Sequence, residues 1–269
     1  MAFFTTPNGL KLHVDDAGGT GLPVIFQHGL CGDARQTAEV FPADSRFRRI
    51  TVEARGHGAS EAGDLSQFSI AAFAEDVAAL IMAQNLGPVC VGGISMGAAM
   101  ALRLAVTRPE LVRGLILVRP AWVAQAAPAN MQPNAEVGAL LARMPQADAF
   151  AAFMAGETAA DLAKNAPDNL ASLQGFFTRA PQAVTAALLE AISADGPGVS
   201  EAQIRALRLP TLILGHQRDS VHPLSHARAL AALIGSARFV EITPKAEDKT
   251  RFIADIQAAL GQFLGEFLS

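Results

Sequence analysis

Ser95 stands between two glycines in Gly93-Ile94-Ser95-Met96-Gly97, directly after the apolar run Val89-Cys90-Val91 and before the helix-forming stretch Ala98-Ala99-Met100-Ala101-Leu102. A serine at a strand-to-helix turn, flanked by residues without bulk, is exposed at the positive end of the new helix, where its hydroxyl can attack an acyl carbon. The plainer alternative is a glycine-rich turn whose serine caps the helix. A second group of reactive side chains, His216, Asp219, His222 and His226, lies much later in the chain. Imidazoles beside a carboxylate suit proton transfer near neutral pH. The same spacing resembles a metal-ligand set, but the zinc-protease pattern needs Glu straight after its first histidine, and Pro223 follows His222, so no metal is expected. His13 reads as an ordinary residue on a half-exposed strand, and Cys31 as a small pocket-lining residue rather than a nucleophile.

These groups must be held by regular elements, and the chain alternates short apolar runs with helical patterns. Strands are predicted at Pro23 to Gln27, Arg49 to Glu53, Val89 to Gly92, Leu115 to Val118, Thr211 to Leu214 and Phe239 to Ile242. Helices are predicted at Ala34 to Val40, Ile70 to Gln84, Met96 to Thr107, Leu224 to Ile234 and Lys249 to Leu268. A hairpin precedes them, Phe3 to Thr6 and Leu10 to Val14, because Asn8-Gly9 supplies the positive φ of a tight turn. This rhythm predicts an α/β fold, a mostly parallel central sheet with helices on both faces. It fails between Pro120 and Leu209, where helix-length pieces near Ala135 to Arg143, Ala147 to Met154, Asn169 to Phe177 and Gln182 to Ser193 predict an inserted helical subdomain, since so long a structureless loop is improbable.

The 269 residues allow one large domain with an insertion. An apolar fraction of 51% with 17% charged residues excludes a disordered chain, and a net charge of −4 without a basic run argues against a nucleic-acid partner. Two distant cysteines, Cys31 and Cys90, and a start without a secretory pattern predict a cytoplasmic protein. The stretch Val77 to Leu102 carries no charge and is long enough to span a bilayer. Gln84, Asn85, Gly87, Pro88 and three further glycines cut it into helix end, strand, turn and helix, so no membrane association is expected.

Taken in order, these residues resemble the α/β-hydrolase family over nearly the whole chain. Gln27-His28-Gly29-Leu30 is similar to the family's His-Gly turn, which implies that the Leu30 and Met96 amides form an oxyanion hole, with His28 structural beneath it. Arg55-Gly56-His57-Gly58-Ala59-Ser60 resembles the loop after the next strand, although Glu53 stands where the family usually has Asp. The resemblance implies a core of residues 1–119 and 210–269 and a lid of residues 120–209. Leu212 to Pro223 resembles the family's strand, Gly, Asp and Pro pattern, and points to Asp219 as the carboxylate that orients an imidazole; a helix-capping aspartate is the alternative.

One expected residue is missing. The family carries its histidine after the last strand, and here that segment reads Thr243-Pro244-Lys245-Ala246-Glu247-Asp248, with no histidine after His226. His222, on the connection from a strand tip into the next helix, is the candidate replacement, a packing role being the alternative. The resemblance thus implies a cofactor-free serine hydrolase acting on a small carboxylic ester, lactone or related acyl compound through Ser95, Asp219 and His222. Loss of the usual base keeps open a hydrolase-fold protein that binds a small apolar ligand under its lid, and a cofactor-free lyase or oxygen-using relative shares the same scaffold. Met131, Phe150, Phe153, Met154, Phe176 and Phe177 predict an apolar pocket. Arg119 is expected either to bind a substrate carboxylate or to form a buried ion pair.

Overall fold

The computed structural model describes residues 2–268. Eight strands form one sheet in the order β1-β2-β4-β3-β5-β6-β7-β8: β1 Ala2–Thr5, β2 Lys11–Asp16, β3 Leu22–Gln27, β4 Phe47–Val52, β5 Val89–Ile94, β6 Val112–Val118, β7 Thr211–Gly215 and β8 Ala237–Glu241. The first two strands are the expected hairpin, paired antiparallel, and β2 pairs antiparallel with β4. Every later pair is parallel.

The helices divide between the two faces, and the side-chain period of two along each strand shows which face each residue serves. Ile25, Val91, Leu115, Leu117 and Ile213 belong to one core with α2 Ile70–Ala83, α3 Met96–Thr107 and α10 Leu224–Leu233. Their neighbours Val24, Phe26, Cys90, Ile116, Leu212 and Leu214 belong to the other, with α1 Ala34–Val40 and α11 Lys249–Gly265. All six residues of β5 are buried, which explains the uncharged stretch around it as a strand covered on both sides. No helix among the described residues is long and apolar enough to cross a membrane.

Between β6 and β7 lie six helices: α4 Gln132–Arg143, α5 Gln146–Met154, α6 Glu157–Asn165, α7 Pro167–Phe176, α8 Gln182–Ala194 and α9 Glu201–Ala206. Four lie near the expected pieces, while α6 and α9 were not expected. The insertion is tied to the sheet domain by polar bonds as well as packing. Within the insertion Trp122 Nε1 donates to the Asp195 carbonyl at 2.9 Å, and the Asp195 carboxylate reaches the sheet domain by accepting the Ile70 amide at 2.7 Å.

Strand register sets the level at which the connecting loops emerge. Gln27 lies beside Gly93, Gly93 beside Leu117, Leu117 beside Ile213, and Leu214 beside Val240. The segments that follow β3, β5, β6, β7 and β8 therefore leave the sheet along one rim, at the carboxyl ends of parallel strands. The order reverses there, since β3 has β4 on one side and β5 on the other, and such a switch point opens a crevice for ligands.

Candidate active site

Ser95 occupies the turn between β5 and α3 with φ 55° and ψ −110°. A non-glycine residue held at positive φ costs of order 1–3 kcal/mol, so the surroundings must enforce it. Ser95 N–H donates to the Val118 carbonyl at 3.0 Å, and the Ser95 carbonyl accepts the Ala98 and Ala99 amides at 3.0 and 3.2 Å. The flanking glycines are required sterically. A Cβ on Gly93 would lie 2.6 Å from the Gln27 carbonyl oxygen, and one on Gly97 would lie closer still.

The His-Gly turn packs directly against this serine, because a Cβ on Gly29 would stand 3.5 Å from Ser95 Cβ. His28 holds the turn from below. Its Nδ1–H donates to the Gly29 carbonyl at 2.8 Å, and its Nε2 accepts the Ala54 amide at 3.0 Å. His57 does the same for the next residue, donating from Nδ1 to the Arg55 carbonyl and accepting the Cys31 amide at Nε2. Both rings must be neutral to make these bonds, and burial holds both pKa values below the usual imidazole range. Among the described residues, the amides of Leu30 and Met96 donate to no protein acceptor. Glu53 is structural: its carboxylate accepts the Ala34 and Ala59 amides and pairs with His13.

The three histidines near Asp219 point in different directions. His222 Nε2 lies 2.8 Å from Ser95 Oγ and accepts its hydroxyl proton, while His222 Nδ1–H donates to Asp219 at 2.9 Å (Oδ1) and 3.1 Å (Oδ2). Asp219 Oδ1 also accepts the His222 amide at 3.0 Å, which fixes the loop that carries the ring. His216 lies behind Asp219, with Nδ1–H on the Gln217 carbonyl and Nε2 3.4 Å from Asp219 Oδ2. His226 donates from Nδ1 to the Ala121 carbonyl at 3.0 Å. The imidazole that meets Ser95 thus comes from the segment after β7, three positions beyond Asp219.

Arg119 completes the support. Its Nε and Nη2 donate to Asp219 Oδ2 at 2.7 and 2.6 Å, the ion pair expected as one of its two roles. Burial pushes the Asp219 carboxyl up, but the Arg119 charge and the His222 bond outweigh it and hold the group well below the usual carboxylate range. Burial lowers the His222 imidazole, and Asp219 only partly opposes this. Near pH 7 the arrangement is an ionised carboxylate, a neutral imidazole and a serine hydroxyl in one hydrogen-bonded row. That combination can deprotonate the serine as it attacks an electrophile.

Ser95 and His222 line a cavity of about 240 Å³ with Leu30, Arg119, Lys245 and residues of α4 and α7, among them Asn134, Asn169 and Phe176. Of the six apolar residues expected in a pocket, only Met131 and Phe176 line it. Phe153 and Phe177 stack on each other inside the helical insertion, and Phe150 and Met154 face outward, because those helices need a core of their own. Cys31 lines the cavity, but burial pushes its thiol up to about 12, which leaves it unreactive. Asn169 and Lys245 were missed as site residues. The Asn169 Oδ1 accepts the Ser220 and Val221 amides at 2.7 and 3.1 Å and so pins the loop between Asp219 and His222, a contact across the chain that no local pattern announces.

Comparison with known proteins places the chain among those with the alpha/beta hydrolase fold. The sequence model of a family described as alpha/beta hydrolase fold matches residues 23–248. A Mycobacterium tuberculosis protein provisionally named non-heme bromoperoxidase BpoC is 38% identical over 113 residues, 40% of this chain and 42% of that protein. The chain thus spans less than half the length of that relative. The 2-succinyl-6-hydroxy-2,4-cyclohexadiene-1-carboxylate synthase of Klebsiella pneumoniae is 29% identical over 224 residues, covering 81% of this chain and 85% of that one. Among solved structures, a malate-bound thermophilic esterase from Thermogutta terrifontis superposes with a TM-score of 0.74 at 25% identity, covering 97% of this chain and 98% of the other.

Proposed function

The chain belongs to the α/β-hydrolase fold family, and from that premise we propose that it is a serine hydrolase of a small carboxylic ester, lactone or related acyl compound. The observation that carries this reading is the row in which Ser95 Oγ stands 2.8 Å from His222 Nε2 and His222 Nδ1 stands 2.9 Å from Asp219. Ser95 attacks the acyl carbon while His222 takes its proton. Asp219 remains ionised and stabilises the imidazolium. The Leu30 and Met96 amides, at the His-Gly turn and the start of α3, receive the oxyanion of the tetrahedral intermediate. His222 then returns its proton to the leaving alcohol, and water releases the acyl group by the same route.

The helices of residues 120–209 serve in this reading as a lid, since α4 and α7 contribute walls of the cavity that holds Ser95. The imidazole of His222 2.8 Å from Ser95 Oγ favours the hydrolase over a binding protein that lacks a base. Labelling with a fluorophosphonate probe tests the proposal without knowledge of the substrate. Wild-type protein is expected to be labelled and to hydrolyse short activated esters, and Ser95→Ala to do neither. Labelling that persists in Ser95→Ala, or a wild type inert to both, overturns it.

A further inference from the structure

Lys245 lies in the connection from β8 to α11, where the family resemblance placed a histidine, and its side chain lines the same cavity as Ser95 and His222. Among the described residues its ammonium has no ion-pair partner and no hydrogen-bond acceptor. Its side chain is partly buried, and the more a charge is removed from water the more it gains from a partner. The other cation of the cavity, Arg119, is already engaged by Asp219 at 2.6 Å. Asp168, on the first turn of α7, is 3.6 Å from Arg119 Nη2, and neither of its buried oxygens accepts a hydrogen bond. The charged groups acting on Lys245 are Arg119, Asp168, Lys249 and Glu39. Burial and the Arg119 charge pull its pKa down, a tendency that a bound anion would reverse.

Building on the serine-hydrolase reading, we infer that Lys245 recognises a carboxylate on the substrate, so that the preferred substrates are acidic esters or lactones rather than neutral ones. The cavity, about 240 Å³, is below the ~300–1,000 Å³ of usual ligand pockets, and Lys245 shares its wall with Ser95 and His222. One unengaged ammonium suits one carboxylate, which it meets as a point charge and with up to three donors.

The test compares kcat/KM for matched charged and neutral esters. One pair carries the charge on the acyl side, mono-para-nitrophenyl adipate against its methyl ester, and the other on the leaving group, para-acetoxybenzoate against its methyl ester. In at least one pair the wild type is expected to prefer the charged ester about tenfold or more, the usual worth of a charge-assisted hydrogen bond. Lys245→Met, which keeps the apolar stem, should bring that ratio close to one, mainly through KM, and Lys245→Arg should retain it. Asp168→Asn should keep or raise the ratio, because it removes a nearby negative charge that repels a bound carboxylate. No preference in either pair, survival of the preference in Lys245→Met, or its loss in Asp168→Asn overturns the inference. Ser95 labelling and turnover of the neutral esters separate the two levels. With both present and no preference that depends on Lys245, the inference alone fails; with both absent, it falls together with the reading beneath it.

Discussion

Truncating His222 to alanine removes one side chain that makes two bonds in series, to Ser95 Oγ at 2.8 Å and to Asp219 at 2.9 Å. Both lengths are within ordinary hydrogen-bond range, so the imidazole has no distance to travel before it accepts the serine proton. General-base assistance is worth about 10²- to 10⁴-fold, and with both bonds already formed the loss should reach at least about 10³ in the acylation rate. A residue of activity, on the order of 10³-fold over water, should survive through substrate binding and the oxyanion site. The pH profile carries the sharper signature. Burial keeps the folded imidazole below its ordinary value near 6.5, so the wild type should be on its plateau at neutral pH and lose acylation only as the pH falls through that lowered value. Pre-steady-state release of para-nitrophenol from an activated acetate measures the acylation step directly. The acid limb should vanish in His222→Ala, whereas His226→Ala, whose ring bonds only the Ala121 carbonyl, should cost less than tenfold. An acylation rate in His222→Ala within tenfold of the wild type, or an unchanged acid limb, refutes the argument.

Two further outcomes concern stability. Gly97→Ala forces a Cβ onto the Gln27 carbonyl, and urea unfolding should register a loss of about 1–3 kcal/mol together with weaker labelling of Ser95. The buried rings of His28 and His57 have folded-state pKa values below those of the unfolded chain, so the unfolded state binds more protons as the medium is acidified. Their contribution is fully present above about pH 6.5 and declines as the pH falls from there towards the lowered folded values; a denaturation midpoint that stays constant from pH 7 to pH 5 would contradict the neutral tautomers assigned here.

The sheet was legible because burial on both faces leaves a strong local mark. The run around β5 has no charge, and Gly93 and Gly97 fall where a Cβ would strike Gln27, so the sequence itself carries the strand, the turn and the serine. The insertion was legible only in part. Helix α6 buries just Ala159 and Leu162, too few positions to show a helical period, and α9 spans six residues, although its Ser200 and Gln203 form a capping box that was there to be read. The aromatic residues of the insertion were assigned to a pocket because composition does not distinguish a cavity wall from an internal core. The direction of the His222 ring could not be read at all. It depends on Asp219 holding both the His222 amide and its ring, on Asn169 gripping the intervening amides, and on a serine 127 positions away.

The placement of Asp219 and His222 three residues apart on one loop changes what the fold must keep in alignment. When acid and base come from separate connections, three independently anchored pieces of chain have to agree to within fractions of an ångström. Here the two partners are clipped to each other through the His222 amide as well as the ring. The joint with the turn that carries Ser95 must still be kept true, and Arg119 and Asn169 brace that loop from outside. The connection after β8 supplies neither the carboxylate nor the imidazole of this row, while Lys245 on it still lines the cavity. Variation in that segment should therefore alter which molecules are accepted before it alters whether the serine is activated.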